Sequence, residues 1–99
     1  MGLKVTSKLS VPLSSEKMIA KANTLNISQL IFDLEDSVIN EDKEIARSNF
    51  KKIKYQSPVS HAVRINPIQS QDFEKDLELI NNFNNNYDRI VIPKIGIRD

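Results

Sequence analysis

The sequence predicts an α/β fold in which parallel strands alternate with helices in the order βαβαβαβ. Three short runs rich in apolar and β-branched residues support this prediction, at residues 30–32, 62–65 and 89–92. The runs lie about 30 residues apart, which is the length of one βαβ unit. Their apolar character is continuous rather than alternating, as expected of strands in a parallel sheet covered on both faces. A weaker run at residues 9–11, bounded by Pro12, predicts a first strand.

A helical pattern of apolar residues occupies each interval between the predicted strands. The first helix should begin at Ser14 or Ser15, whose hydroxyls can cap it, and end near Asn26. The second should begin after Asn40, where two acidic residues would lie at the positive end of the helix dipole. The third should end at the asparagines 84–86. The predicted core positions are Met18, Ile19, Ala22 and Leu25, then Ile45, Ala46, Phe50 and Ile53, then Phe73, Leu77, Ile80 and Phe83.

Length and composition indicate one small domain that comprises residues 1–99. Of the 99 residues 39% are hydrophobic, and the net charge of +1 gives no general attraction to nucleic acids or membranes. The absence of cysteine excludes disulfides and thiolate metal sites. The first residues lack the apolar core of a signal peptide, and no apolar run is long enough to span a bilayer, so we expect a soluble cytoplasmic protein. The lone His61 should be structural or simply exposed.

Two architectures use this repeat, an open doubly wound sheet and a closed barrel, and periodicity alone does not distinguish them. In both, functional side chains lie where the strands deliver their carboxyl ends to the following loops. Those places are polar in this sequence: residues 33–36 follow the second predicted strand, Arg64 lies in the third, and Lys94 follows the fourth. We therefore expect three carboxylates, a guanidinium and an ammonium group on one rim of the sheet.

The acidic residues Asp33, Glu35 and Asp36 permit two interpretations. Their carboxylates could bind a hard cation such as Mg²⁺, either directly or through its water ligands. Alternatively, they cap the following helix and solvate a turn, because aspartate is common in such loops.

The basic residues of the predicted rim also leave alternatives open. An arginine in an apolar strand must be paired or face a polar cavity, because an unpaired buried charge is costly. The planar fork of Arg64 suits a substrate carboxylate or carbonyl, and the alternative is a structural salt bridge to Asp33 or Glu35. Lys94 is either a surface lysine or ion-pair partner, or a lysine able to form a Schiff base.

Five short motifs occur in an order and spacing that resemble the HpcH/HpaI aldolase and citrate lyase beta-subunit family. Malyl-CoA lyases and related acyl-CoA lyases belong to the same group. The motifs are Val11-Pro12 with residues 17–22, followed by residues 31–38, 43–47, 63–67 and 90–94. Each motif alone is weak, but five in this order are hard to obtain by chance, and together they span nearly the whole chain.

The resemblance implies a (β/α)₈ TIM barrel, of which this chain would form strands one to four. It also implies a Mg²⁺-dependent lyase that acts on a carbon–carbon bond of an acyl-CoA or acyl-carrier thioester. In that family Arg64 would be the catalytic arginine that binds the substrate oxyanion or carboxylate. Glu35 and Asp36 would hold the metal through water, while Asp33, Glu35 and Lys94 would line the substrate pocket. The direct metal ligands are expected beyond residue 99.

One departure from the family pattern concerns the loop after the first strand. Leu13 follows Val11-Pro12 where the family usually has glycine, which puts thioester binding at that loop in question.

Three functional alternatives follow from these observations. The first is a lyase whose remaining strands come from a second copy or a complementary chain. The second is a non-catalytic remnant that serves as a binding or oligomerisation module, and the third is an unrelated open domain of flavodoxin type. A half-barrel leaves two open sheet edges and exposes its inner face, which we expect to be apolar, so the chain should form a homo-oligomer or pair with a complementary chain.

Overall fold

The computed structural model describes residues 8–25, 27–53 and 59–93 of the chain. Its strands are β1 (Lys8–Pro12), β2 (Gln29–Asp33), β3 (Ser60–Arg64) and β4 (Arg89–Val91). Its helices are α1 (Glu16–Ala22), α2 (Lys43–Phe50) and α3 (Phe73–Asn82), and a 3₁₀ turn at Asn40–Asp42 leads into α2. The predicted βαβαβαβ order is therefore confirmed.

The order of the strands distinguishes the two architectures that periodicity left open. All three strand pairs are parallel, and the strands lie in the order β1-β2-β3-β4. A doubly wound sheet reverses its order at a switch point, whereas a (β/α)₈ barrel places each new strand beside the previous one. The sheet therefore has the strand order of the first half of a (β/α)₈ barrel.

One face of the sheet forms the hydrophobic core together with the helices. Side chains alternate along a strand, so the aligned residues Val11, Phe32, Val63 and Ile90 share this face. The first three are buried in a single cluster that includes Phe50 of α2. Ile90 is 43% exposed, because no helix follows β4 among the residues that the structure describes.

The opposite face of the sheet differs from the prediction. Its aligned rows are Ser10, Ile31, Ala62 and Arg89, and then Pro12, Asp33, Arg64 and Val91. None of these residues belongs to the core cluster, so the described helices cover one face and not both. The expectation that this inner face is apolar is wrong, because polar and charged side chains interrupt both rows and face the open side of the sheet.

The first helix is shorter than predicted. Ser15 is its N-cap as expected, since the Ser15 hydroxyl accepts a hydrogen bond from the backbone N–H of Met18. The helix ends at Ala22, and the predicted end at Asn26 lies outside the described residues. Met18 and Leu25 are exposed, which corrects their assignment to the core: Leu25 lies past the end of the helix and Met18 lies on its solvent side.

The predicted cores of the other two helices are mostly confirmed. In α2, Ala46 and Phe50 are buried, whereas Ile45 is 52% exposed and its assignment to the core is wrong. One residue along a helix turns the side chain by about 100°, so Ile45 cannot share the face that Ala46 and Phe50 define. In α3, Ile80 is buried as predicted, and the buried Leu79 was missed.

His61 is structural, as one of its two predicted interpretations had it. It is buried at the start of β3, and its ring packs edge-on against Phe32 with 5.1 Å between the ring centroids. Burial lowers the pKa of His61, which favours the neutral imidazole in this position.

Within the described ranges, the helices are too short and too polar to cross a membrane.

A pair of substitutions in α2 tests the placement of the core. We expect Phe50→Ala to lower the free energy of unfolding by about 3–5 kcal/mol, because it leaves a cavity in the core. Ile45→Ala in the same helix is the matched control, and it should change stability by at most about 0.5 kcal/mol. Urea denaturation of both variants measures the difference. Equal losses would show that Ile45 is buried after all.

Candidate functional site

The loop that follows β2 is organised around the carboxylate of Asp33, which is fully buried. One oxygen, Oδ1, accepts hydrogen bonds from the backbone N–H groups of Glu35 at 2.8 Å and Asp36 at 3.1 Å. The other, Oδ2, accepts from the backbone N–H of Ser37 at 2.8 Å and from its hydroxyl at 2.7 Å. Because four donors from three successive residues converge on one carboxylate, the loop is wound around Asp33.

Arg64 completes the hydrogen bonding of Asp33 from the neighbouring strand. The parallel register places the two residues side by side at the carboxyl ends of β2 and β3. Nε of Arg64 donates to Oδ1 of Asp33 at 2.9 Å and Nη2 donates to Oδ2 at 3.0 Å, which makes a bidentate pair. Nη2 also lies 3.3 Å from the hydroxyl of Ser10. The salt bridge to Asp33, one of the two interpretations of Arg64, is confirmed.

The salt bridge leaves Arg64 able to contact a ligand as well. Its hydrogen bonds to described residues use Nε and Nη2, so both N–H groups of Nη1 are left for another acceptor. The side chain of Arg64 is 27% exposed at the rim, while that of Asp33 is inaccessible. The pair therefore fixes the plane of the guanidinium and presents one edge of it to the open face of the sheet.

The ionised form of Asp33 is strongly favoured. Burial by itself would raise the pKa, but hydrogen bonds from Arg64, Ser37 and the backbone of Glu35 outweigh it and lower the pKa of Asp33 to about 2. With six donors on two oxygens, the carboxylate has little capacity for a further partner. These bonds favour a role in positioning Arg64, and direct substrate contact by Asp33 stays a prediction.

Glu35 and Asp36 carry the other two carboxylates of the predicted rim. The side chain of Glu35 is 26% exposed, and its Oε1 lies 3.9 Å from Nε of Arg64. Burial together with the charges of Asp33 and Asp36 raises the pKa of Glu35, against the opposing effects of Arg64 and Lys43. The side chain of Asp36 is exposed. The structure thus brings Asp33, Glu35 and Arg64 together, whereas Lys94 lies outside the described residues.

The chemistry of this rim fits a divalent cation in part. Glu35 and Asp36 offer carboxylate oxygens, the ligands that Mg²⁺ prefers. A cation would offset the repulsion from Asp33 and Asp36, which adds to burial in raising the pKa of Glu35. Over residues 8–25, 27–53 and 59–93, however, no three acidic or histidine side chains are arranged to hold a metal ion. These two residues can therefore supply part of a coordination shell, directly or through water, but not a complete one.

Sequence reasoning missed the groups that hold the Asp33 loop from the helix side. Lys43 is buried, and its Nζ donates to the carbonyl of Leu34 at 3.1 Å, the carbonyl of Glu35 at 3.0 Å and Oδ1 of Asn66 at 2.9 Å. Asn66 in turn donates to the buried carboxylate of Asp76 through its backbone N–H at 2.8 Å and its Nδ2 at 2.6 Å.

Ion pairs of Arg47 connect this network to α2 and α3. Nη1 of Arg47 donates to Asp76 at 2.9 Å, while Nη2 lies 2.8 Å from Glu44 and 3.1 Å from Asp72. The available signal in the sequence was Asp76, which lies among the apolar positions of α3 where a charge needs a buried partner. Arg47 of α2 supplies that partner, and Lys43, four residues earlier, joins the network through Asn66.

The pH dependence of stability tests the role of Asp33. Its pKa is about 2 in the folded chain against an ordinary value of 3.8, so it stabilises the fold above pH 3.8 and this stabilisation is lost as the pH falls toward 2. Relative to Asp33→Asn, the wild type should therefore lose about 2 kcal/mol of unfolding free energy over this range. Denaturation curves at a series of pH values measure the difference.

A matched control for that experiment is Asp36→Asn, which removes an exposed carboxylate from the same loop. It should change stability at neutral pH by at most about 0.5 kcal/mol. A difference between the wild type and Asp33→Asn that stays constant with pH would contradict the assignment of the low pKa to Asp33.

The comparison with known proteins bears on this arrangement. The sequence pattern of the HpcH/HpaI aldolase/citrate lyase family matches residues 6–99. Relatives include (3S)-malyl-CoA thioesterases from strains of Cereibacter sphaeroides, one 32% identical over 91 residues and another 35% identical over 93. Each match covers 91% of this chain and 32% of the relative. The chain thus spans about a third of the length of these relatives.

Solved structures show the same similarity. CitE from Mycobacterium tuberculosis, in complex with magnesium, acetoacetate and coenzyme A, is similar with a TM-score of 0.76 and 28% identity, over 91% of this chain and 32% of that chain. RipC from Yersinia pestis is similar with a TM-score of 0.66 and 27% identity, over 93% of this chain and 35% of that chain.

The sequential parallel sheet, the match of the family pattern to residues 6–99 and the relatives agree with one another. The chain belongs to the HpcH/HpaI aldolase/citrate lyase family.

Proposed function

We propose that the rim formed by Asp33, Glu35, Asp36 and Arg64 binds the carboxylate or enolate oxygen of a small keto acid or acyl thioester, as part of a Mg²⁺-dependent carbon–carbon lyase. The observation that carries this proposal is the bidentate pair between Asp33 and Arg64, which holds the guanidinium at the carboxyl edge of the sheet and leaves its Nη1 group for a ligand. Functional residues of (β/α)₈ barrels lie at this edge.

Each residue of the rim has a distinct part in the proposed chemistry. Arg64 would donate a hydrogen bond from Nη1 to the oxygen on which negative charge develops as the carbon–carbon bond breaks. Asp33 would keep the guanidinium in its plane. Glu35 and Asp36 would hold Mg²⁺ directly or through water, and the bound cation would polarise the substrate carbonyl as a Lewis acid. Lys94 completes the proposal as a further group near the substrate.

The relatives support this substrate class. The Cereibacter proteins are (3S)-malyl-CoA thioesterases. The CitE structure holds magnesium, acetoacetate and coenzyme A, and a structure of the citrate lyase beta subunit from the same organism holds oxaloacetate and magnesium. A small carboxylate, a thioester and Mg²⁺ therefore recur among proteins similar to this chain. We propose the same ligands for the rim, where the guanidinium of Arg64 lies beside the carboxylates of Glu35 and Asp36.

A second candidate function is a non-catalytic binding or oligomerisation module of the same fold. It is favoured by the partial metal shell of the rim within the described ranges. The two candidates differ in turnover, because only the lyase cleaves a carbon–carbon bond of its substrate. They share the ligand contact of Arg64.

We further propose that the β4 edge of the sheet pairs with additional strands of this fold, supplied by a second copy or by a complementary chain. One feature supports this. Ile90 is 43% exposed, although Val11, Phe32 and Val63 in the same row are buried. Pairing at the β4 edge would cover Ile90 and would bring further polar side chains to the rim.

Substitution of Arg64 tests the proposed ligand contact. We expect Arg64→Ala to weaken the binding of oxaloacetate in the presence of Mg²⁺ by at least about tenfold, because a hydrogen bond to a charged group contributes about 1.5–3 kcal/mol. Titration calorimetry measures the affinity. Arg89→Ala is the matched control, since Arg89 lies on the same face of the sheet in the neighbouring row and is exposed.

The two variants separate the possible outcomes. Loss of binding in Arg64→Ala but not in Arg89→Ala supports the proposal. Equal affinities in the wild type and Arg64→Ala, with lower stability in the variant, would mean that Arg64 serves only as the salt-bridge partner of Asp33.

The molar mass in solution tests the proposed pairing. The chain has a mass of 11.3 kDa, and we expect light scattering on a size-exclusion column to give a multiple of this value. Ile90→Lys should shift the mass toward that of the monomer, because it places a charge in the proposed contact. A wild-type chain that stays monomeric at high concentration would contradict self-association and leave a complementary chain as the partner to be sought.

A further inference from the structure

A buried lysine lies directly behind the proposed ligand site. Nζ of Lys43 reaches the loop after β2 from the helix side of the sheet and donates to the carbonyls of Leu34 and Glu35 at 3.1 and 3.0 Å. Lys43 is only 7% exposed, so its ammonium group has been removed from water in exchange for these bonds and one to Asn66. A charged group in such a place needs good acceptors, and the loop backbone supplies two of them.

The bonds of Lys43 complement those of Asp33 at the same residue. The backbone N–H of Glu35 donates to Asp33 at 2.8 Å, while the carbonyl of Glu35 accepts from Lys43 at 3.0 Å. Both hydrogen-bonding groups of the Glu35 backbone are therefore fixed, one from the sheet and one from the helix layer. A fixed backbone at this position sets the direction in which the Glu35 side chain leaves the loop, and its carboxylate lies 3.9 Å from Nε of Arg64.

Asn66, which accepts the third hydrogen bond of Lys43, is itself held in place. Asn66 donates to the buried carboxylate of Asp76, and Nη1 of Arg47 donates to the same carboxylate at 2.9 Å. This network links α2, α3 and the segments that follow β2 and β3. Lys43 therefore connects the loop that carries the rim carboxylates to two packed helices.

We propose that Lys43 is a positioning residue of the rim, which fixes the backbone of Glu35 so that its carboxylate stands beside Arg64 in the geometry that the ligand requires. This inference rests on the function proposed above for the rim. Lys43 touches neither substrate nor metal in this role and acts through Glu35.

A double-mutant cycle tests this coupling. Lys43→Met removes the ammonium group and keeps the length of the side chain, and Glu35→Gln removes the carboxylate that Lys43 positions. We expect Lys43→Met to weaken Mg²⁺-dependent oxaloacetate binding by at least about tenfold in the wild-type background and by less than about twofold in the Glu35→Gln background, because residues that act through one another are not additive. Lys51→Met, at an exposed lysine just after α2, is the matched control and should leave affinity unchanged.

A second measurement needs no ligand and separates this proposal from the function on which it rests. Amide hydrogen exchange at Glu35, Asp36 and Ser37 should become at least about tenfold faster in Lys43→Met, relative to the core amide of Val63, and should not change in Lys51→Met. If the wild type binds no oxaloacetate but this exchange effect is present, the proposed function of the rim is contradicted, while the proposal that Lys43 fixes the loop is supported.

Two outcomes overturn the role of Lys43. One is unchanged exchange in the loop of Lys43→Met. The other is an equal loss of affinity in the wild-type and Glu35→Gln backgrounds, which would show that Lys43 stabilises the fold as a whole without acting through Glu35.

Discussion

The rim of this protein depends on the buried carboxylate of Asp33. A carboxylate that is inaccessible to solvent is costly unless its oxygens are fully hydrogen-bonded, and here the neighbouring strand β3 and the loop after β2 supply the donors. The backbone of residues 35–37 curls around it, and Arg64 binds it from the adjacent strand with two parallel bonds. The same interaction therefore shapes the loop, aligns the carboxyl ends of β2 and β3, and sets the orientation of the only guanidinium found beside this loop among the described residues.

The parallel register and the difference between the two faces of the sheet make this interaction available for function. Residues of the row that contains Val11, Phe32 and Val63 pack against the helices and supply the stability of the fold. The row on the other face can then carry Asp33 and Arg64 without interrupting the core. Lys43 bonds the loop backbone from the helix side, so that the loop is held both by the sheet and by the helix layer.

Much of this could be predicted from the sequence, and the failures have physical causes. The strands were recognisable because both faces of the sheet contribute apolar residues to each run, and that same mixture concealed the polar character of the inner face. Ile45 and Met18 are hydrophobic but lie on the solvent side of their helices, which a count of apolar residues does not reveal. The pairing of Arg64 with Asp33 was one of two alternatives, and only the register decided it. The Lys43 network depends on contacts between residues far apart in the chain, so no local pattern predicts it.

The most direct measurement of the central claim is the ¹⁵N NMR spectrum of the arginine guanidinium groups during titration with oxaloacetate and Mg²⁺. We expect the Nη1 resonance of Arg64 to shift on addition of the ligand, while its Nε resonance keeps the signature of the bond to Asp33 and Arg89 stays unchanged. A spectrum in which Arg64 does not respond, or in which the bond to Asp33 is lost when the ligand binds, would contradict the claim that this salt bridge presents the guanidinium to a ligand.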